Sequence, residues 1–321
     1  MKTMRVHLER EVDLSLMGAF AGALPPDIQV THGTPVAEDT EILVVGFPTE
    51  EVLSTLPHLH TVIVPFAGLV PSARTVLITR PDLKVYNLHH NAAATAEKAI
   101  ELMLAVAKRT VQNDQFMRNG NWSPRFETSE AVQLEGKTAL VIGYGEIGTR
   151  VARACIGLGM NVVAVKRTVT RPSDGDVPLY AFKTLPELWP TADVVLICAP
   201  LTPETDNLVD RAALLALPPG SIVVNVGRGK IIDQEALYEA LRCGHLLGAG
   251  LDVWWLYPRE GEKSEPGNYP FRDLNNVVMS PHIGGSVQDT EPRRMAALVE
   301  LLLKIHRSDK LLKPIDVVRG Y

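Results

Sequence analysis

The sequence predicts an α/β protein built around a doubly wound parallel sheet. Three observations carry that expectation. The runs Val194–Pro200 (VVLICAP) and Ser221–Gly227 (SIVVNVG) are apolar nearly throughout, as strands covered on both faces must be. From residue 137 onward, strand-like runs alternate with helical stretches, the rhythm that lays strands parallel. Between one such strand and its helix lies Gly143-Tyr144-Gly145-Glu146-Ile147-Gly148, a glycine-rich turn in the βα context that gives it meaning.

At 321 residues the chain is long enough for two domains, taking about 150 residues for each. Hydrophobic residues make up 46% and charged residues 21% of it, which excludes a disordered chain, a collagen or a disulfide scaffold. The net charge is −5, so nothing electrostatic calls for nucleic acid or an anionic membrane. Cys155, Cys198 and Cys243 stand far apart with no CxxC spacing. A reducing compartment fits them, with all three thiols buried or inert. No run reaches the roughly eighteen apolar residues of a membrane helix, and Met1–Arg10 alternates charge without an apolar signal core. A cytoplasmic protein is expected.

The first 90 or so residues carry four β-rich runs, Met4–Leu8, Glu41–Gly46, Thr61–Pro65 and Leu83–Asn87, with turn signals at Pro25-Pro26, Gly33 and Pro57 between them. A long helix is expected over Ala92–Arg109, with Asn91 as N-cap. No Gly or Pro interrupts it, and Ala96, Ala99, Ile100, Met103, Leu104 and Ala107 recur at helical spacing. Its alanine-rich face suits close packing, in the core or against a second subunit. Asn113–Leu134 is polar and reads as a loop. Then come strand Lys137–Ile142, helix Ile147–Leu158, and strands Asn161–Val165, Ala192–Ala199 and Ser221–Val226. Helix Asp233–Cys243, with an acidic N-cap, precedes strands Leu246–Val253 and Asn276–Ser280.

In the glycine turn, Gly143 allows the tight bend, Gly145 lets backbone approach a pyrophosphate, and Gly148 lets helix pack on strand, while the helix N-terminus adds positive potential. Dinucleotide binding is therefore expected there. An acid about 20 residues on would bind the adenine ribose of NAD. This sequence has Lys166, Arg167 and Thr168 instead. A cationic pair suits a 2′-phosphate and removes the carboxylate that would repel it, so NADPH is expected over NADH, with NAD still possible; a solvated basic turn is the plainer alternative. Farther on, Arg228 in Asn225-Val226-Gly227-Arg228-Gly229 follows a buried strand, and His282 in Ser280-Pro281-His282-Ile283-Gly284-Gly285 follows a later one, both at the sheet edge where open α/β sheets place their sites. A carboxylate clamp and a proton donor beside a nicotinamide suffice to reduce a 2-keto acid. His58, His60, His89 and His90 lack that context and read as structural.

Taken in order, ATAEKAIELML (94–104), the glycine turn, CAPLTPET (198–205), VNVGRG (224–229), GAGLDV (248–253) and SPHIGG (280–285) make the chain resemble the D-isomer-specific 2-hydroxyacid dehydrogenase family. The resemblance covers most of the chain and is dense from Ala92 to Met295. It implies a Rossmann doubly wound parallel sheet, residues 92–287, inserted into a smaller flavodoxin-like α/β substrate domain made of 1–91 and 288–321. The helix near 92–109 would help form a homodimer. His282 falls on the catalytic acid/base and Arg228 on the arginine that orients the substrate. Phe66, Ala67, Gly68 and Leu69 fall on the loop whose N–H groups hold the substrate carboxylate. Gly143, Gly145, Glu146, Ile147, Gly148, Pro200, Thr205, Val226, Gly227, Arg228, Asp252, His282 and Gly284 fall on cofactor-contacting positions, with Lys166, Arg167 and Thr168 at the ribose. No metal is implied.

The chain departs from the family at one important place. The family's glutamate, five residues after the aspartate of LDV, orients the histidine and stabilises its charged form; here that position is Tyr257. A phenol can accept the ring N–H but brings no charge, so His282 is expected to titrate near the free value of about 6.5. The stretch 258–276 is long and acidic, and Glu260 or Glu262 folding back is one conceivable substitute. Trp254 and Trp255 could wall a substrate pocket or belong to the core. Glu146 stands where relatives often carry arginine beside the pyrophosphate, and the run Val64–Gly68 departs from the commoner glycine-rich substrate loop. The expected activity is NADPH-preferring reduction of a small 2-keto acid, glyoxylate or hydroxypyruvate. An NAD-dependent D-3-phosphoglycerate or other D-2-hydroxyacid dehydrogenase is the alternative within the class, and a non-catalytic dinucleotide-sensing interaction protein the alternative outside it.

Overall fold

A computed structural model describes residues 3–320; readings that include residues 1, 2 and 321 lie, at those positions, outside the described residues. The chain divides into two compact units, one comprising the described residues up to Ala92 and from Val287 onward, the other Ala93–Ser286.

The first unit opens with β1 (Met4–Leu8), α1 (Leu14–Gly22), β2 (Ile28–His32) and β3 (Ile42–Val44). It continues through α2 (Glu50–Ser54), β4 (Thr61–Val64), α3 (Pro71–Ile78) and β5 (Lys84–Asn87). The five strands are parallel in the order β2-β1-β3-β4-β5. Alternation along β4 shows why its sequence is TVIV: Val62 and Val64 enter one hydrophobic cluster while Ile63 enters the other. Each such buried aliphatic side chain contributes about 1.5–3 kcal/mol.

The second unit starts with α4 (Ala92–Ala107), α5 (Thr110–Arg118), β6 (Thr138–Ile142), α6 (Glu146–Gly157) and β7 (Asn161–Val165). A short hairpin, β8 (Ser173–Asp174) and β9 (Val177–Tyr180), leads to α7 (Leu185–Leu188) and β10 (Val194–Ile197). Then follow α8 (Arg211–Ala216), β11 (Ser221–Asn225), α9 (Gln234–Arg242), β12 (Leu246–Leu251) and β13 (Val277–Met279). The strand order is β13-β12-β11-β10-β6-β7-β9-β8, parallel except for the β8–β9 pair. The order reverses between β6 and β10, which makes the crevice beyond their carboxyl ends the place where such a sheet binds ligands. Asp233 caps α9 through its carboxylate, which accepts from the Ala236 N–H at 2.8 Å. The chain then returns to the first unit as α10 (Thr290–His306), whose Leu298, Leu301 and Leu302 join the cluster that holds α1.

Several expectations need correction. The long helix ends at Ala107, and Arg109 takes a left-handed conformation, φ 53°, before α5 begins. Part of the expected loop from Asn113 is thus helical; α5 buries none of its side chains, so no apolar stripe marks it. The strand β2 lies at a sheet edge and fully buries only Ile28, too little alternation to read. The β8–β9 hairpin, α7 and α8 were likewise not anticipated. The face of α4 that carries Ala96, Ala99, Leu102 and Met103 is buried in the core of its own unit. Burial pushes the Cys155 thiol up to about 12, but Cys243 is exposed rather than sequestered. His90 is pushed down to about 4 by burial and then by Arg294, so it is neutral at pH 7 and behaves as a packing group.

Candidate active site

The turn between β6 and α6 is set by close approaches. Gly143 has φ +95°, and a Cβ there would lie 2.6 Å from the Ala199 backbone nitrogen beyond β10. A Cβ on Gly148 would lie 1.9 Å from the Gly143 carbonyl oxygen. At Gly145, by contrast, a Cβ would meet nothing within 4 Å. The crevice is therefore closed behind the turn and open in front of it, next to the free N–H groups of a twelve-residue helix. That shape fits a dinucleotide pyrophosphate. Gly148→Ala is expected to destabilise the unit by about 1–3 kcal/mol and to weaken nicotinamide dinucleotide binding, measured by thermal melting alongside titration calorimetry. Ile147 is half-buried, and Glu146 pairs with Arg150 one turn later, at 2.7 Å.

Lys166, Arg167 and Thr168 leave β7 at its carboxyl end, where the Lys166 N–H donates to the Tyr180 carbonyl at 2.9 Å. Beyond β10, the buried Thr205 hydroxyl donates to the Pro200 carbonyl at 2.7 Å and accepts from the Thr202 N–H at 2.8 Å. Val226 is buried. The fully buried Asn225 clamps the next turn from both sides: its Oδ1 accepts from the Gly227 N–H and its Nδ2 donates to the Arg228 carbonyl, each at 3.0 Å. Sequence reading missed that role, although a polar residue ending an otherwise apolar strand was a signal for it. The Arg228 guanidinium donates to the Gly227 carbonyl at 2.7 Å.

At the end of β12, both oxygens of the buried Asp252 carboxylate are engaged by the turn that carries His282. They accept from the Ser280 hydroxyl at 2.5 Å, the Ile283 N–H at 3.0 Å and the Gly284 N–H at 2.9 Å. His282 itself has φ +59°, a conformation that costs a non-glycine residue about 1–3 kcal/mol. The Tyr257 ring lies 5.3 Å from the imidazole, tilted by 45°. Its hydroxyl accepts from the Trp254 backbone N–H at 3.0 Å.

These groups shape one another electrostatically. His282 and Tyr257 reach solvent, yet the protein around them withdraws enough water to shift both. Burial and then the Arg228 charge hold His282 below 6.5, with Asp252 opposing; the sequence-based expectation of an ordinary value is corrected on that ground. Burial raises Tyr257, which keeps the phenol neutral, and lowers Arg228.

Other expectations fall elsewhere. Glu260 and Glu262 are exposed, and the Glu262 carboxylate accepts from the Arg259 N–H. Trp254 and Trp255 pack in the core around Phe271, with Trp255 stacked on it at 5.3 Å. In the first unit, Phe66, Ala67, Gly68 and Leu69 follow β4; the Phe66 ring sits 5.9 Å from that of Phe47, and the Ala67 carbonyl accepts from Asn87 Nδ2 at 2.5 Å. A hollow of about 700 Å³ is lined by Asp206, Lys230, Gln234, Tyr269 and Trp255, so Trp255 packs in the core and also faces this hollow. Among the described residues no helix is long and apolar enough to cross a membrane.

Residues 100–284 match the family model described as D-isomer specific 2-hydroxyacid dehydrogenase, NAD binding domain. The chain belongs to this family. Among 2-hydroxyacid dehydrogenase relatives, a D-3-phosphoglycerate dehydrogenase of Archaeoglobus fulgidus is 34% identical over 270 residues, which is 77% of this chain and 49% of that one. A glyoxylate reductase of Thermococcus gammatolerans is 38% identical over 199 residues, 60% of this chain and 57% of that one. The chain thus spans about half the length of these curated relatives. A solved D-isomer specific 2-hydroxyacid dehydrogenase of Xanthobacter autotrophicus Py2, in complex with NADPH and MES, superposes with a TM-score of 0.81 at 25% identity, covering 99% of this chain and 100% of that one. The 2-hydroxyacid dehydrogenase fold and a nicotinamide-dinucleotide-binding domain follow from the match and the geometry together.

Proposed function

We propose that the protein reduces small 2-keto acids with NADPH in preference to NADH, glyoxylate and hydroxypyruvate foremost, as a cytoplasmic homodimer. The observation that carries this reading is the grouping of Arg228, Tyr257 and His282 on the unit that holds the glycine turn. Bound NADPH supplies the hydride to C2 of the acid. Arg228 holds the substrate carboxylate through paired N–H bonds. Protonated His282 donates to the carbonyl oxygen as negative charge develops there, and in the oxidative direction neutral His282 takes that proton back. Tyr257 lies against the imidazole and, being neutral, adds no charge. In the first unit the N–H groups of Phe66–Leu69 are assigned to substrate binding.

The cofactor preference rests on Lys166, Arg167 and Thr168, which place no carboxylate against a 2′-phosphate. The names of the glyoxylate reductase relatives support the substrate class. Exposed Met117, Trp122 and Phe126 support an association surface on the second unit, and cysteines without disulfide partners suit a reducing compartment.

The test is initial-rate oxidation of NADPH and NADH with glyoxylate, hydroxypyruvate, pyruvate and phosphohydroxypyruvate, at pH 6 and pH 8. Faster turnover with NADPH, greater at pH 6, is expected. Arg167→Asp should weaken NADPH by about tenfold or more and leave NADH nearly unchanged; equal losses would overturn the cofactor assignment. Silence on every acid with NADPH still bound would replace the enzyme with a dinucleotide sensor.

A further inference from the structure

His282 sits at φ +59°, where a non-glycine residue persists only if its surroundings over-determine it. Asp252 supplies part of that constraint through the backbone of residues 283 and 284. The remainder converges on one side chain. The Trp254 indole N–H donates to the Ser280 carbonyl at 2.8 Å, a buried bond two residues before His282. The Trp254 backbone N–H donates to the Tyr257 hydroxyl, and the Tyr257 ring is the one packed on the imidazole. Both N–H groups of Trp254 therefore lead to His282, one through its backbone and one through its ring.

Trp254 is itself fixed. It is 6% exposed, and its ring meets those of Trp255 and Phe271 edge-on, at 6.4 and 6.3 Å. Trp255 is anchored in turn by donation to the Ile232 carbonyl at 3.0 Å. A Cβ on Gly229 would lie 2.3 Å from the Trp254 carbonyl carbon, so the same residue abuts the turn that follows Arg228. It touches the backbone of both turns at once.

We propose that Trp254, acting through Ser280 and Tyr257, is a positioning residue that holds the His282 imidazole in register with Arg228. Packing alone would need only a ring; phenylalanine supplies one without an N–H. The indole N–H fixes the turn, and the phenol, whose hydroxyl is tied to the Trp254 backbone, keeps its ring against the imidazole. An acid must be held within a few tenths of an ångström of its productive place to transfer a proton efficiently. Here mechanical support replaces a carboxylate that would orient the ring by charge. The inference rests on the reading of His282 as acid/base.

The experiment compares Trp254→Phe and Tyr257→Phe with the unaltered protein in two readouts. The first is the His282 Cε1–H resonance in a heteronuclear NMR pH titration without cofactor. The second is kcat and KM for glyoxylate with NADPH. Trp254→Phe is expected to broaden or split the resonance and to lower kcat about tenfold, the loss of one orienting hydrogen bond, with KM within about twofold. Tyr257→Phe, at a half-exposed site where folding is not at risk, should change the same resonance and lower kcat at least about threefold. An unchanged resonance and unchanged kcat in Tyr257→Phe, or in a folded Trp254→Phe, would overturn the brace. A loss confined to KM would overturn it as well. If the unaltered protein turns over no 2-keto acid while both variants still disturb the resonance, the brace stands and the assigned activity falls.

Discussion

With His282 as the acid/base of the proposed NADPH-dependent reduction, replacing it with alanine is expected to lower turnover by about a hundredfold to ten-thousandfold, the usual contribution of a positioned acid or base. The imidazole is the neutralisable proton donor packed against Tyr257 and within the influence of Arg228. The Asp252 carboxylate beside it already accepts from the hydroxyl and N–H groups of residues 280, 283 and 284, and Arg228 cannot give up a proton at neutral pH. NADPH affinity, measured by fluorescence titration, should change little. Relief of the φ +59° strain is not expected from alanine, which pays the same backbone cost, so stability should not rise. Turnover that survives the substitution with cofactor binding intact would remove His282 from the acid/base role.

Tyr257→Glu moves the alkaline limb of the reductive pH profile upward by about one to three pH units, as an anion near an imidazole favours its protonated form. The sign follows from His282. Its folded value lies below 6.5 because of burial and the Arg228 charge, and in the proposed mechanism reduction needs the protonated form. The reductive rate is therefore complete only at acid pH and falls as pH rises through that depressed value. Oxidation of the 2-hydroxy acid, which needs neutral imidazole, keeps its base throughout the neutral range. The introduced carboxylate restores the charged imidazole at neutral pH, so the gain in reduction at pH 8 should be about tenfold or more. A profile that keeps its limb in place would mean that another group sets it.

Much of the second unit could be read from residues alone, because its signals are local. Gly143, Gly145 and Gly148 at the junction of β6 and α6, and the apolar runs of β10 and β11, announce themselves without tertiary information. Arg228 and His282 were recognisable because each follows a strand end beside glycine, the first a fully buried strand. What stayed hidden depends on contacts far apart in sequence or on the absence of burial. The partner of the Trp254 indole lies 26 residues away. The Tyr257 hydroxyl could have gone to His282 on chemistry alone, yet a local N–H three residues back takes it. The edge strand β2 and the exposed α5 lacked the periodic apolar pattern that reveals an element.

The return of α10 to the first unit has a consequence for the order of synthesis. On the face of β1 and β3 that meets α1, Val6, Leu8, Ile42 and Val44 share a cluster with Met295, Leu298, Leu301 and Leu302. A ribosome that has made the first ninety residues has produced a sheet whose one greasy face waits for a helix roughly two hundred residues in the future, about ten to forty seconds away at ordinary rates. The Ala93–Ser286 unit draws on no such late segment and is free to fold while that face is still bare. The unit begun first is thus the one finished last.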